Sequence, residues 1–224
     1  QAVSDVEATI ALARLLKERQ QRLFDFLFKQ RGKVAAGRLL QLDAMEPVLH
    51  VSSRYPADRH CLAVVVALAR HPDNPNGVVV YDLSIDPEPL LTLAPEDLSA
   101  RLYTPQSALP EGVPRLPLKT VHLNKCPALA PMKVLRPEDV ERLGLDLVVC
   151  KAHLEVLRHS SGLADKVQAI VGSAEPRPPS DPDLGLYERF IPETDRRLLE
   201  RLRSLPASEM GEAHPDFEYA RLAT

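Results

Sequence analysis

Apolar residues recur every three or four positions through the start of the chain. Val6, Ile10, Ala13, Leu16, Leu23 and Leu27 fall on one helical face, which predicts a long amphipathic helix. Ser4 and Glu7 have the spacing of a capping box, and Asp5 places negative charge in the first turn. Gly32 ends the pattern, and Arg14, Lys17, Arg19, Arg22 and Lys29 carry the remaining surface. The period then changes. Val48–Ser52, Cys61–Leu68, Val78–Leu83 and Leu116–Leu123 are short, rich in β-branched residues and bounded by turn residues. Residues 71–77, His-Pro-Asp-Asn-Pro-Asn-Gly, have the composition of a connection between two strands. No helix intervenes between these strands, so an antiparallel, barrel-like sheet is expected.

Helical patterns return afterwards. Pro95 and Pro137 each open a Pro-Glu-Asp run, suited to a helix N-terminus because the missing N–H is harmless there and the acids oppose the dipole. Helices are predicted over Pro137–Leu145, Leu147–Arg158 and Leu163–Val171. Ser173–Gly185 contains Pro176, Pro178, Pro179 and Pro182 and reads as a semi-rigid linker. Glu193–Leu205 is a further charged helix with Leu198, Leu199 and Leu202 inward, and Met210–Thr224 has no clear period. A lone terminal helix cannot form a domain by itself, so the chain is expected to be cut at its C-terminus.

Composition narrows the function. The 224 residues are 45% hydrophobic and 26% charged, enough for a packed core in one large domain or two small ones. Aromatics are 4%, with no Trp, which excludes a base-stacking platform of many rings. The three Cys have no C-x-x-C spacing, which argues against a disulfide framework or thiolate zinc site and predicts reduced thiols in a cytoplasmic protein. His60 and Cys61 are adjacent, but nothing nearby completes a metal shell. No apolar run is long enough to span a bilayer and no leader opens the chain, so a soluble, non-membrane protein is expected.

The net charge of −3 conceals a block pattern. Residues 1–38 hold 8 Lys/Arg against 4 Asp/Glu, residues 39–99 hold 3 against 9, and residues 100–172 hold 10 against 7. Two basic blocks allow a local anion-binding face, or merely fluctuating solvated surface. Self-contained catalytic sets are missing: there is no G-x-S-x-G, no phosphate-cradling glycine loop and no H-E-x-x-H. His50 and His122 lie in strand patterns, where hydrogen-bonded structural histidines are expected.

Several ordered motifs nevertheless resemble one family. Residues 2–10, Ala-Val-Ser-Asp-Val-Glu-Ala-Thr-Ile, and 22–28, Arg-Leu-Phe-Asp-Phe-Leu-Phe, are similar to the passage out of the nuclease domain of bacterial exonuclease I. Residues 121–129, Val-His-Leu-Asn-Lys-Cys-Pro-Ala-Leu, followed by 135–139, Leu-Arg-Pro-Glu-Asp, resemble the signature of its middle domain. Ala174-Glu-Pro, Ser180-Asp-Pro and Leu186-Tyr-x-x-Phe190 resemble the entry into its helical domain. The likeness runs from about Ala2 to Leu205. It implies an α+β fold: an SH3-like antiparallel β-barrel decorated with helices, preceded by the last helix of a DEDD-type nuclease domain. The implied divisions are 1–19 for that helix, 20–172 for the SH3-like domain, 173–185 for the linker and 186–224 for the start of the helical domain.

The resemblance also implies chemistry and partners. The family degrades single-stranded DNA from its 3′ end by two-metal hydrolysis, in which carboxylates hold a pair of Mg²⁺ ions. Asp5 matches the acid of the family's last motif, whereas the other acid motifs fall outside this sequence. Asp5 is therefore the metal-ligand candidate in a whole protein, and the chain alone is expected to be inactive. Taken alone, Asp5 is a first-turn acid opposing the helix dipole. Lys33, His71, Asn76, Asn124 and Lys125 are expected to reach phosphates or sugars of single-stranded DNA, with ordinary loop exposure as the alternative for each. Tyr187 and Phe190 could stack on bases or anchor a core.

The C-terminal tail of single-stranded-DNA-binding protein is the second implied partner. Its terminal carboxylate would be clamped by Arg136, with Arg158 as a neighbouring basic ridge. Alternatively Arg136 pairs with Glu138 or Asp139 beside it. Glu46 and Lys151 depart from the basic and apolar residues expected around that pocket. The protein is expected to be a cytoplasmic monomer. Two rival readings are a non-catalytic module that binds single-stranded DNA or protein, and a helix-turn-helix over residues 137–158. Against the latter, Val148, Val149, Leu154, Val156 and Leu157 load the second helix like a core element.

Overall fold

A computed structural model describes residues 2–173, 191–210 and 215–218. The chain divides into compact units at 1–174 and 175–224. In the first, α1 (Ala2–Arg19), α2 (Gln21–Gln30) and α3 (Lys33–Leu39) precede β1 (Val48–Val51), β2 (Leu62–Arg70) and β3 (Gly77–Asp82). Then come α4 (Glu88–Thr92), α5 (Pro95–Tyr103), β4 (Leu118–His122), β5 (Ala128–Pro131), α6 (Pro137–Arg142), α7 (Leu147–Arg158) and α8 (Leu163–Gly172). The second unit contains α9 (Glu193–Arg203) and α10 (Ala207–Met210). There Asp195 is buried on α9 and accepts the Glu218 N–H at 2.9 Å. Among the described residues no helix is long and apolar enough to cross a membrane.

The five strands are antiparallel in the order β4-β3-β2-β1-β5. Val64, Val66, Val79 and Tyr81 face a core completed by Leu90, Leu98, Leu154, Leu157, Val167 and Ile170 from the helices. Val65, Val78 and Val80 point the other way, toward Ala36 of α3, Leu40 just after it, Val121 and Leu129. Burial on both faces explains why residues 63–69 read as one continuous apolar run. The sheet curls around the second face. The Lys119 amine on β4 reaches the Ser52 hydroxyl just beyond β1, although β3 and β2 lie between them. A flat sheet would put about 14 Å between those strands. Among the described residues β4 and β5 remain edges, so the expected barrel is an open, curled sheet.

Several expectations need correction. The first helix breaks at Gln20, whose φ of −139° and ψ of 54° leave the helical region. Ser4 and Glu7 lie inside α1 and form no N-terminal capping box there. Val6, Ile10 and Leu16 are exposed, because nothing in the described unit covers that face. The turn of α6 ends at Arg142, ahead of Gly144 with its φ of +62°, and α9 stops at Arg203. On α7, Val148 is 81% exposed and Val156 is exposed too, while Cys150, Leu154 and Leu157 are buried; its apolar load is only half core. Residues 174–185 of the expected linker, with Tyr187 and Phe190, lie outside the described residues.

Candidate nucleic-acid interface

The connection between β2 and β3 is held from within. Asn74 accepts the Asn76 N–H on its side-chain oxygen at 2.9 Å, and its carbonyl accepts the Gly77 N–H at 2.8 Å. His71 Nδ1 accepts the Asp73 N–H at 3.2 Å. Gly77 is required by close approach: a Cβ there would lie 2.6 Å from His71 Cβ and 3.1 Å from Thr120 Cγ2.

The same turn is bonded to the end of β4. Leu123 N–H donates to the Asn76 carbonyl at 2.8 Å, and the Asn74 amide lies 3.1 Å from His122 Nδ1. Lys125 N–H then donates to the His122 carbonyl at 3.0 Å. His122 is held below the usual imidazole range by burial, then by the positive charges of Lys125 and His71. Asn124, Lys125 and Cys126 are exposed, and Cys126 adopts a left-handed φ of +47°. Thus His71, Asn76, Asn124 and Lys125, far apart in sequence, share one end of the sheet. Lys33 is exposed at the start of α3, whose Gly37 would place a Cβ 3.8 Å from Leu123 of that same strand end.

Sequence reasoning missed one member of this cluster. Asn74 is its hub, and its only signal was the turn composition. His122, expected as a hydrogen-bonded structural histidine, is half-buried and bonded across to the turn. His50 likewise is a buried structural histidine, 2.9 Å from the Tyr55 hydroxyl.

The other residues stand apart. Arg136 is exposed and paired with Asp139, at 2.9 Å through Nε and 3.2 Å through its terminal nitrogen. That hydrogen bond holds the Asp139 carboxyl down to about 2. Arg158 pairs with Glu155 at 2.9 Å and donates to the Met45 carbonyl at 3.0 Å, tying α7 to the segment before β1. Glu46 lines a groove of about 360 Å³ with Arg38, Met132 and Lys133, and Lys151 is exposed on α7. Asp5 is exposed on α1. Among the described residues no group of three or more His, Cys, Asp or Glu could hold a metal ion.

Fold and site together define an α+β domain that presents hydrogen-bonding side chains and a lysine on the loops at one end of a curled sheet. Residues 31–172 match the exonuclease I SH3-like domain, and the chain belongs to the bacterial exonuclease I family. It is 42% identical over 215 residues to exodeoxyribonuclease I of Escherichia coli K12, across 93% of this chain and 45% of that protein. The solved exonuclease I of Methylocaldum szegediense is 56% identical with a TM-score of 0.77, across 97% of this chain and 45% of that one. The zinc-bound complex of E. coli exonuclease I with single-stranded DNA is 39% identical with a TM-score of 0.78, across 99% and 47%. The chain thus spans about half the length of these relatives.

Proposed function

We propose that this chain is part of a 3′→5′ exonuclease specific for single-stranded DNA, acting in DNA repair and recombination. Within it, residues 20–172 guide the strand and dock a partner. The observation that carries the reading is the joint placement of His71, Asn76, Asn124 and Lys125 at one sheet end, in a chain whose relatives include an exonuclease solved with single-stranded DNA. Amide and imidazole groups beside a lysine suit a phosphodiester backbone, whose contacts need not read sequence.

In the whole protein, a pair of Mg²⁺ ions would supply the attacking hydroxide and stabilise the leaving oxygen. Asp5 would contribute one ligand, alongside carboxylates on polypeptide beyond this chain. The protein would work as a cytoplasmic monomer. Arg136 would exchange its pairing with Asp139 for the terminal carboxylate of the tail of single-stranded-DNA-binding protein, and Arg158 would hold the wall of that pocket.

The test is direct. Incubated with Mg²⁺ and 3′-labelled single strands, the chain is expected to release no mononucleotide but to bind labelled oligothymidylate, and Lys125→Ala should weaken that binding. Mononucleotide release by this chain, or no binding at all, would refute the reading. A labelled acidic tail peptide should lose affinity for Arg136→Ala; unchanged affinity removes the clamp.

A further inference from the structure

A second cationic point lies on the curled face, on the segment that joins β1 to β2. Ser52 N–H donates to the Cys61 carbonyl at 2.8 Å and closes this loop. The Ser52 hydroxyl accepts the Arg54 N–H at 3.3 Å and contacts the Lys119 amine. That amine also sits 4.5 Å above the Tyr55 ring, and the Tyr55 hydroxyl is anchored to His50. Lys119 is thereby fixed in place, half-buried, with a hydroxyl and an aromatic face as its partners.

Among the described residues no carboxylate balances this charge. Among the described residues neither Lys119 nor Arg54 forms an ion pair, and Arg54 is exposed. The buried carboxylate on this face, Asp82, is already engaged by Arg59 at 2.9 Å and by the Ser84 hydroxyl at 2.7 Å. Burial and then the Arg54 charge push the Lys119 amine down to about 8. His50 beneath it is likewise pushed down to about 4, by burial and then by Lys119. A half-buried lysine beside a second cation, on a hydroxyl that takes the Arg54 backbone N–H and the Lys119 amine and with no counter-charge among the described residues, is relieved by an anion making charge-assisted hydrogen bonds.

We infer that Arg54 and Lys119, with the Ser52 hydroxyl, bind a phosphate of single-stranded DNA at a site separate from the His71–Lys125 cluster. This rests on the strand-binding reading above. The anion is assigned to a strand because β4 carries both points. Lys119 precedes His122 by three residues, about 10 Å along the strand and on its other face, and β4 is an edge among the described residues, open to a backbone that passes over it. One extended backbone can therefore meet both. Neither contact reads a base, so the site adds affinity without sequence preference.

Binding of labelled oligothymidylate to the 224-residue chain, followed by anisotropy across a salt series, tests this. Arg54→Gln and Lys119→Gln should each weaken binding about tenfold and reduce the slope of log K against log salt by about 0.7. Lys119→Arg should keep both. Wild-type affinity should also fall between pH 7 and pH 9 more steeply than that of Lys119→Arg, as the free amine loses its proton. Arg54 is exposed and its side chain makes no hydrogen bond or ion pair among the described residues, so a loss in Arg54→Gln is not a folding defect. If Lys125→Ala weakens binding while Arg54→Gln and Lys119→Gln keep wild-type affinity and slope, this site is refuted and the strand-binding reading stands. If wild type binds no oligothymidylate, both fall. Thymidine monophosphate binding as tightly as the oligomer, with the same dependence on Lys119, would overturn the assignment to a strand.

Discussion

His50 shows how a strand residue becomes a pH sensor of stability. It is 4% exposed on β1, with Tyr55 edge-on to its ring and Lys119 beyond. Its folded pKa of about 4 lies below the ordinary 6.5, so between those values the unfolded chain binds a proton that the folded chain refuses. Stability therefore rises with pH across that window and is lost as pH falls from 6.5 toward 4, by up to about 3 kcal/mol from this residue. Urea unfolding from pH 4.5 to 7 should show that slope in wild type and a flatter one in His50→Gln. The Asp139 carboxyl, held near 2, changes protonation below the window and does not blur it. The apolar strand pattern around His50 made its burial legible, since both faces of β1 are covered. The cation above it was not, because Lys119 is 69 residues away and arrives only through the curl of the sheet.

Helices α1 and α8 are similar in apolar content yet differ in what they meet. α8 places Leu163, Val167, Ile170 and Val171 in the core against β2 and α5. α1 leaves Val6, Ile10 and Leu16 exposed. Ile170→Ala should accordingly cost about 2–5 kcal/mol in urea unfolding, whereas Ile10→Ala should stay within about 0.5 kcal/mol. An equal loss at both positions would mean that α1 is packed in this chain. Elements with strong local signals were predicted well: α5 and α6 begin at their Pro-Glu-Asp runs, and α7 spans the expected residues. Elements with weak ones were missed. α3 carries an internal Gly37, and β5, Ala-Leu-Ala-Pro, is a strand only because Val48–Val51 pairs with it in register.

On the scale of the whole molecule, the charge blocks along the chain do not become blocks in space. Arg59 and Asp82 neutralise each other across the acidic stretch, Arg158 turns inward to the Met45 carbonyl, and Lys119 and Arg54 are left unbalanced. By itself the sequence determined the class of fold, the elements with strong local signals, and the family, because these depend on local periodicity and on ordered motifs that survive without coordinates. Only the tertiary structure decided which polar residues act together. Asn74 meets His122, and Lys119 meets Ser52, through an antiparallel register and a sheet curl. Those arise from twist and packing summed over all five strands, and no single stretch of sequence encodes them.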